Sequence, residues 1–157
     1  WKERNPKKPE FLKAIRHLKL IEAAMETLTE LKERGVQLAI ISGSLNIMLE
    51  KFIPDYDKFF DDIFLSKIYF DEGGSISHIE ATEYDMDGKA LALRKIAERE
   101  GLSLKECAFV GDYLNDFKII QDAGLGIAFN CEHEELKKVA DVVIDKKDLR
   151  EILKHIL

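Results

Sequence analysis

A three-layer α/β fold, with a mainly parallel sheet covered by helices on both faces, is predicted by three features of the chain. Short apolar runs, VQLAII (36–41), CAFV (107–110), LGIAF (125–129) and DVVI (141–144), read as buried strands. Amphipathic segments of helical spacing lie between them, and strand–helix alternation implies right-handed crossovers and parallel pairing. At 157 residues, with 46% apolar and 34% charged side chains, the chain is long enough for one sizeable core.

Pro9, a favourable first-turn residue, precedes Phe11, Leu12, Ile15 and Leu18 at helical spacing, which predicts a helix over about 9–18. A second helix is predicted over about 21–34, with Ile21, Met25, Leu28 and Leu31 on one face and Gly35 as its stop. VQLAII follows as a fully buried strand, and Leu45, Met48, Leu49 and Phe52 mark a helix to about 52. DDIFL (61–65) is a further strand, and the Gly73–Gly74 pair between two β-prone runs predicts a β-hairpin at about 67–80. From Gly88 to Glu100 the pattern is helical, with Ala90, Leu93, Ile96 and Ala97 inward and Gly101 ending it. Asp87 is read as the N-cap of that helix, and Ser103 with Glu106 has capping-box spacing before CAFV. Helices at 114–123, 132–139 and about 147–156 alternate with the last strands. The third-last ends at Gly124, and the next carries acids at its start and Lys137 and Lys138 at its end, as the helix dipole favours.

Charge and composition remove several function classes. With 24 basic and 30 acidic residues, a net charge of −6 and lysines dispersed along helices, nucleic acid is not an expected partner. The longest apolar runs fall far short of the roughly 20 residues that span a bilayer, so no membrane role is expected. Two cysteines without paired spacing fit a reduced, cytoplasmic setting. Cys131-x-His133 has the letters of a soft-metal pair, but two ligands without a second pair do not define a site.

In open parallel sheets ligands bind beyond the carboxyl ends of the strands. Ser42-Gly43-Ser44 follows the first predicted strand, Gly111-Asp112-Tyr113-Leu114-Asn115-Asp116 follows CAFV, and Asn130 follows LGIAF. Lys89 opens the helix leading into CAFV. A hydroxyl, an ammonium, amides and two carboxylates thus share one crevice. Phosphoryl transfer uses this mixture, because the transferred group needs donors and a hard divalent cation needs carboxylate oxygens. Asp112, first after the strand, is placed to bind Mg²⁺. Asp116, one helical turn later, supports it from the same side.

ISGS (41–44), DGKALAL (87–93) and GDYLND (111–116) resemble, in order and spacing, the second, third and fourth motifs of the haloacid dehalogenase (HAD) superfamily of phosphatases. The similarity runs from about Leu20 to Leu157. AGLGIAFN (123–130), ADVVI (140–144) and DLREIL (148–153) give it a phosphoserine phosphatase-like character. The resemblance implies a HAD-like, Rossmann-like core over 20–157 and a Mg²⁺-dependent phosphomonoesterase acting through an aspartyl-phosphate. A small phosphorylated metabolite, phosphoserine foremost, is the implied substrate. It further implies that Ser42 and the Gly43 amide hold the phosphate, that Lys89 neutralises charge, and that Asp112 binds the metal. Asn115 would contact the substrate phosphate region, and Asp116 would orient Lys89 or metal-bound water.

The family's first motif, an apolar strand ending in Asp-x-Asp that carries the nucleophile and general acid, has no counterpart before Ser42, and the first aspartate of the chain is Asp55. Asp85-Met86-Asp87-Gly88 has similar lettering but follows polar sequence and precedes Lys89 directly, so it is set aside. The chain starts at Trp1 and is expected to be a piece of a longer protein, with 1–19 the remnant of a helical cap or linker. Without the first strand, the core is expected to present unpaired sheet edges and a route to self-association. Two alternatives stand beside this expectation: a pseudophosphatase or binding module without a nucleophile, and a HAD phosphatase for sugar phosphates or nucleotides.

Overall fold

The computed structural model describes residues 6–157. Its elements are α1 (Lys8–Ala14), α2 (Ala24–Glu33), β1 (Ala39–Leu45), α3 (Asn46–Phe52), β2 (Asp62–Phe70), β3 (Ile76–Glu80) and α4 (Gly88–Glu100). Then follow β4 (Ala108–Gly111), α5 (Phe117–Asp122), β5 (Leu125–Phe129), α6 (Glu134–Val139), β6 (Val142–Ile144) and α7 (Leu153–Ile156), with short 3-10 turns between some of them. The α/β alternation and the hairpin are as the sequence predicts.

The strands form two three-stranded ladders, β1-β2-β3 and β4-β5-β6. β1 pairs with β2 in parallel, β2 with β3 antiparallel, and β4, β5 and β6 are all parallel. Among the described residues β1 and β4 each end a ladder, with no strand hydrogen-bonded between them. Side chains join the two halves instead. Ile41 of β1 packs with Ala90, Leu93 and Ile119 in a cluster that also takes in Phe64 of β2 and Phe109 of β4. A second core cluster, Leu31, Ile127, Phe129, Ile144 and Ile152, ties α2 to β5, β6 and the C-terminal turn.

Several boundaries differ from those predicted, each for a tertiary reason. The first strand starts at Ala39 rather than 36 and runs on through the serines to Leu45. Leu38 is held by Asp61, whose N–H donates to its carbonyl and whose carboxylate accepts its N–H, both at 2.8 Å. Only Ile41 of β1 is buried, since the strand is covered by a ladder on one edge alone. DDIFL and KIYF are one strand, β2. Its first half pairs with β1 up to Ser66 and its second half with β3 from Lys67, and no turn-forming residue interrupts it.

Helix α2 begins at Ala24 because Ala23 is left-handed at φ 58° and Glu22 is tied to the C-terminal turn, its carbonyl accepting the Leu149 N–H at 2.9 Å. Its buried face is Ala24, Thr27 and Leu31. Thr27 donates its hydroxyl to the Ala23 carbonyl at 2.8 Å, which satisfies the one polar atom in that face. Helix α1 ends at Ala14, four residues short of its predicted end, and the final helix divides into a 3-10 turn at Leu149–Ile152 and α7. Residues 1–5 of the predicted cap remnant lie outside the described residues.

Candidate active site

The ISGS segment stands out of its ladder. Register between β1 and β2 is regular to Ile41↔Phe64 and resumes at Leu45↔Ser66, so the three residues Ser42, Gly43 and Ser44 face one residue of β2. Such a bulge re-aims side chains at a strand end. The Ser42 hydroxyl oxygen accepts the Ser44 N–H at 3.2 Å. A Cβ at Gly43 would stand 2.3 Å from Asp85 Oδ2, so any side chain there would have to displace that carboxylate.

Lys89, the second residue of α4, is buried at 6% exposure, and Asp116 at 3%. Their Nζ and Oδ1 lie 2.6 Å apart, a charge-assisted bond between two groups that could not be left buried alone. The other oxygen of Asp116 accepts the N–H groups of Asp112 at 3.0 Å and Tyr113 at 3.2 Å. Gly111 makes this possible: a Cβ there would come within 2.6 Å of the Asp116 Cγ. Asp116 therefore fastens the loop after β4 to the start of α4, which explains the two carboxylates of GDYLND. The first is turned outward, and the second is the counter-ion of a buried lysine.

Asp112 itself is exposed and, among the described residues, its carboxylate has no hydrogen-bond or ion-pair partner. It borders a cavity of about 230 Å³ together with Gly111, Asn130 and the apolar side chains of Ile21, Val110, Phe129 and Leu149. Ser42 and Ser44 border another cavity of about 240 Å³, otherwise lined by apolar residues of β1, β2 and α3 with Leu20 and Ile53.

The half-buried Asn115 donates its amide Nδ2 to Asp85 Oδ1 at 3.1 Å. Five of the six predicted residues fall into two sets of contacts, while Ser42 bonds to Ser44 within its own bulge. Gly43 lies on Asp85, Asp85 on Asn115, and Asp116 on both Lys89 and the Asp112 backbone. Asp85 is the residue the sequence reading missed, having been set aside with its DMDG lettering. Asp87 was taken as the N-cap, yet its side chain makes no capping bond. Nothing local announces Asp85, since its distant neighbours in space are Gly43 and Asn115.

The donor set fits a hard divalent cation in part. Asp112 offers a free carboxylate beside a polar strand end, but no group of three or more His, Cys, Asp or Glu side chains close enough to hold a metal occurs among the described residues. Any further oxygen ligands would come from the bound phosphoryl group, water or another segment. Cys131 and His133 instead form a local turn, in which Sγ accepts the His133 N–H at 3.2 Å.

The fold, the two glycine-flanked strand ends and the buried Lys–Asp pair define a class. The chain belongs to the haloacid dehalogenase-like hydrolases, whose family model matches residues 4–124. Within that class it is a phosphomonoesterase-type domain closely similar to phosphoserine phosphatases.

The phosphoserine phosphatase of Methanocaldococcus jannaschii is 38% identical over 144 residues, 92% of this chain and 67% of that protein. That of Archaeoglobus fulgidus is 36% identical over 132 residues, 84% of this chain and 38% of that protein. Among solved structures, a substrate-bound phosphoserine phosphatase complex superposes with TM-score 0.83 at 36% identity, covering 98% of this chain and 71% of its own. A phospho-aspartyl intermediate analogue of phosphoserine phosphatase gives 0.82 at 35%, covering 98% and 72%. The chain therefore spans about two fifths to three quarters of these proteins. Among the described residues no helix is long and apolar enough to cross a membrane.

Proposed function

We propose that this chain supplies the phosphate-binding and charge-balancing half of a divalent-metal-dependent phosphomonoester hydrolase, with phosphoserine as the leading substrate. The observation that carries this reading is the Lys89–Asp116 pair. Burying an ammonium is costly, and here it is held by a dedicated carboxylate at the start of a helix whose Ala90 and Leu93 pack on Ile41, the residue before Ser42.

In this reading Ser42, the Gly43 N–H and the Asn115 amide donate to the phosphoryl oxygens. Lys89, held in place by Asp116, balances the charge that gathers in the transition state. A divalent cation held partly by Asp112 would supply further charge neutralisation and order the phosphoryl oxygens.

The attacking carboxylate belongs to the Asp-x-Asp motif that this chain lacks before Ser42. One carboxylate oxygen bonds to phosphorus as the ester P–O bond breaks. The leaving oxygen takes a proton from the second aspartate; water then gives that aspartate its proton back as it attacks phosphorus, the acyl-phosphate P–O bond breaks, and phosphate and the free nucleophile are released. Small phosphorylated metabolites are the expected substrate class because the relatives named above are phosphoserine phosphatases.

The test combines the chain with a peptide bearing the first motif of the Methanocaldococcus jannaschii relative and Mg²⁺, and follows release of phosphate. Turnover of phosphoserine above that of a hexose phosphate or a nucleoside monophosphate, and none by the chain alone, is expected. Preference for the sugar or nucleotide ester would overturn the substrate, and no turnover of any ester would overturn the reading as a whole.

A further inference from the structure

Asp85 is the one charged residue in the strand-end cluster for which the reaction above has no use. Its carboxylate rests on Gly43 so closely that a methyl group could not be inserted between them. Oδ1 accepts both the Asn115 Nδ2–H at 3.1 Å and the Met86 N–H at 2.8 Å. The segment that presents it is under backbone strain. Met86 is left-handed at φ 49° with its side chain 63% exposed, so packing of Met86 does little to hold that conformation. Asp85 is also bound at its own carbonyl, which accepts the Gly88 N–H at 2.9 Å as α4 begins.

A carboxylate packed against a glycine and accepting from an amide donor occupies the kind of place a phosphoryl oxygen would take, with the same acceptor chemistry and the same sign of charge. We infer that Asp85 fills the anion position between Gly43 and Asn115, and that a phosphoryl group binds there only by displacing it. This rests on the reading of Ser42–Gly43 and Asn115 as a phosphate cradle.

Displacement requires little of the fold. Asp85 is half-buried, among the described residues its side chain is what joins this loop to Gly43 and Asn115, and its departure frees Asn115 to turn to phosphate. Asp85 then sets the affinity of the site. By holding the cradle closed with an internal anion it weakens the binding of phosphate, and so of phosphate as a product. At contact distance, even fully solvated like charges repel enough to change an equilibrium several-fold, and a partly buried pair more.

The experiment titrates inorganic phosphate into the wild-type chain, Asp85→Asn and Asp85→Ala, by calorimetry and by backbone amide shifts. Asp85→Asn keeps the shape and an acceptor for Asn115 and Met86, so it serves where Asp85→Ala disturbs the loop. Phosphate affinity is expected to rise about tenfold in Asp85→Asn and at least as much in Asp85→Ala, with the shifts centred on Ser42, Gly43 and Asn115. A residue that merely supports the loop would weaken binding when lost, and weaker binding in both variants would overturn the inference. Equal affinity in all three, with the same shifts, would overturn it and leave the phosphate cradle standing. No binding by any of the three would instead overturn the cradle, and the inference with it.

Discussion

Replacing Lys89 by methionine keeps the length and much of the apolar stem of the side chain and removes only its ammonium. Asp116 is then left buried with the N–H groups of Asp112 and Tyr113 as its remaining partners. Removing one member of a buried ion pair costs about 3–5 kcal/mol. The two surviving hydrogen bonds and the retained stem place Lys89→Met at the low end, about 3 kcal/mol, most of it the uncompensated charge on Asp116. For a chain of this length that is a fall in melting temperature of about 6–12 °C. Asp116→Asn in the same background removes the stranded charge while its amide oxygen still accepts from the loop. The double variant should therefore recover about half or more of the loss, about 1.5–3 kcal/mol. Urea unfolding followed by circular dichroism reads both quantities, provided the slope with denaturant is unchanged. A loss under about 1 kcal/mol in Lys89→Met, or no recovery in the double variant, would refute the claim that Asp116 is held buried by Lys89.

Three further outcomes follow from the same geometry. Asp112→Asn should leave the melting temperature within about 2 °C of wild type, since its carboxylate is exposed and has no partner among the described residues, yet abolish Mg²⁺-dependent turnover in the peptide-complemented assay. Retained turnover would remove Asp112 from the metal's ligands. Gly111→Ala should destabilise by about 1–3 kcal/mol and displace the Asp112 and Tyr113 amide resonances, because its methyl would stand 2.6 Å from the Asp116 Cγ; unchanged spectra would contradict this. The third outcome concerns acid. Asp148 is buried, and the Arg150 guanidinium, the Arg150 N–H and Lys146 hold its carboxyl far below the ordinary aspartate value of 3.8. A depressed carboxyl stabilises the fold fully above its unfolded value and loses that contribution as pH falls toward the folded one. The stability gap between wild type and Asp148→Asn, measured as urea midpoints, should be wide at pH 7 and 5 and narrow progressively below about pH 4. A gap independent of pH would refute the assignment.

The elements that could be read from the chain alone are those whose signals are local. Gly101 stops α4 in the left-handed conformation that a glycine allows, Ser103 and Glu106 form their capping box, and Gly74 turns the hairpin. The strand-end residues Ser42, Lys89, Asp112, Asn115 and Asp116 were likewise legible as candidates, because short apolar runs and glycines place them. The family resemblance also gave Asp116 as a partner of Lys89, but the burial of that pair was not legible. That Asp116 buries Lys89 depends on α4 and the loop after β4 meeting in space. The union of DDIFL and KIYF into β2 depends on partners on both sides, and the late start of α2 depends on Leu149 near the other end of the chain. Asp85 was read through its DMDG lettering, whereas its position is set by Gly43 and Asn115, which a linear pattern does not connect.

The central claim is that this chain cradles and neutralises the phosphoryl group while a carboxylate of the first motif attacks it. Rapid acid quench with ³²P-labelled phosphoserine, on the chain complemented by the first-motif peptide, followed by peptide mapping, tests that division of labour most directly. The account predicts label on the first aspartate of the added peptide, with its yield reduced at least about 100-fold by Lys89→Met. Label on Asp85 or Asp87 of the chain itself, or undiminished labelling in Lys89→Met, would contradict it.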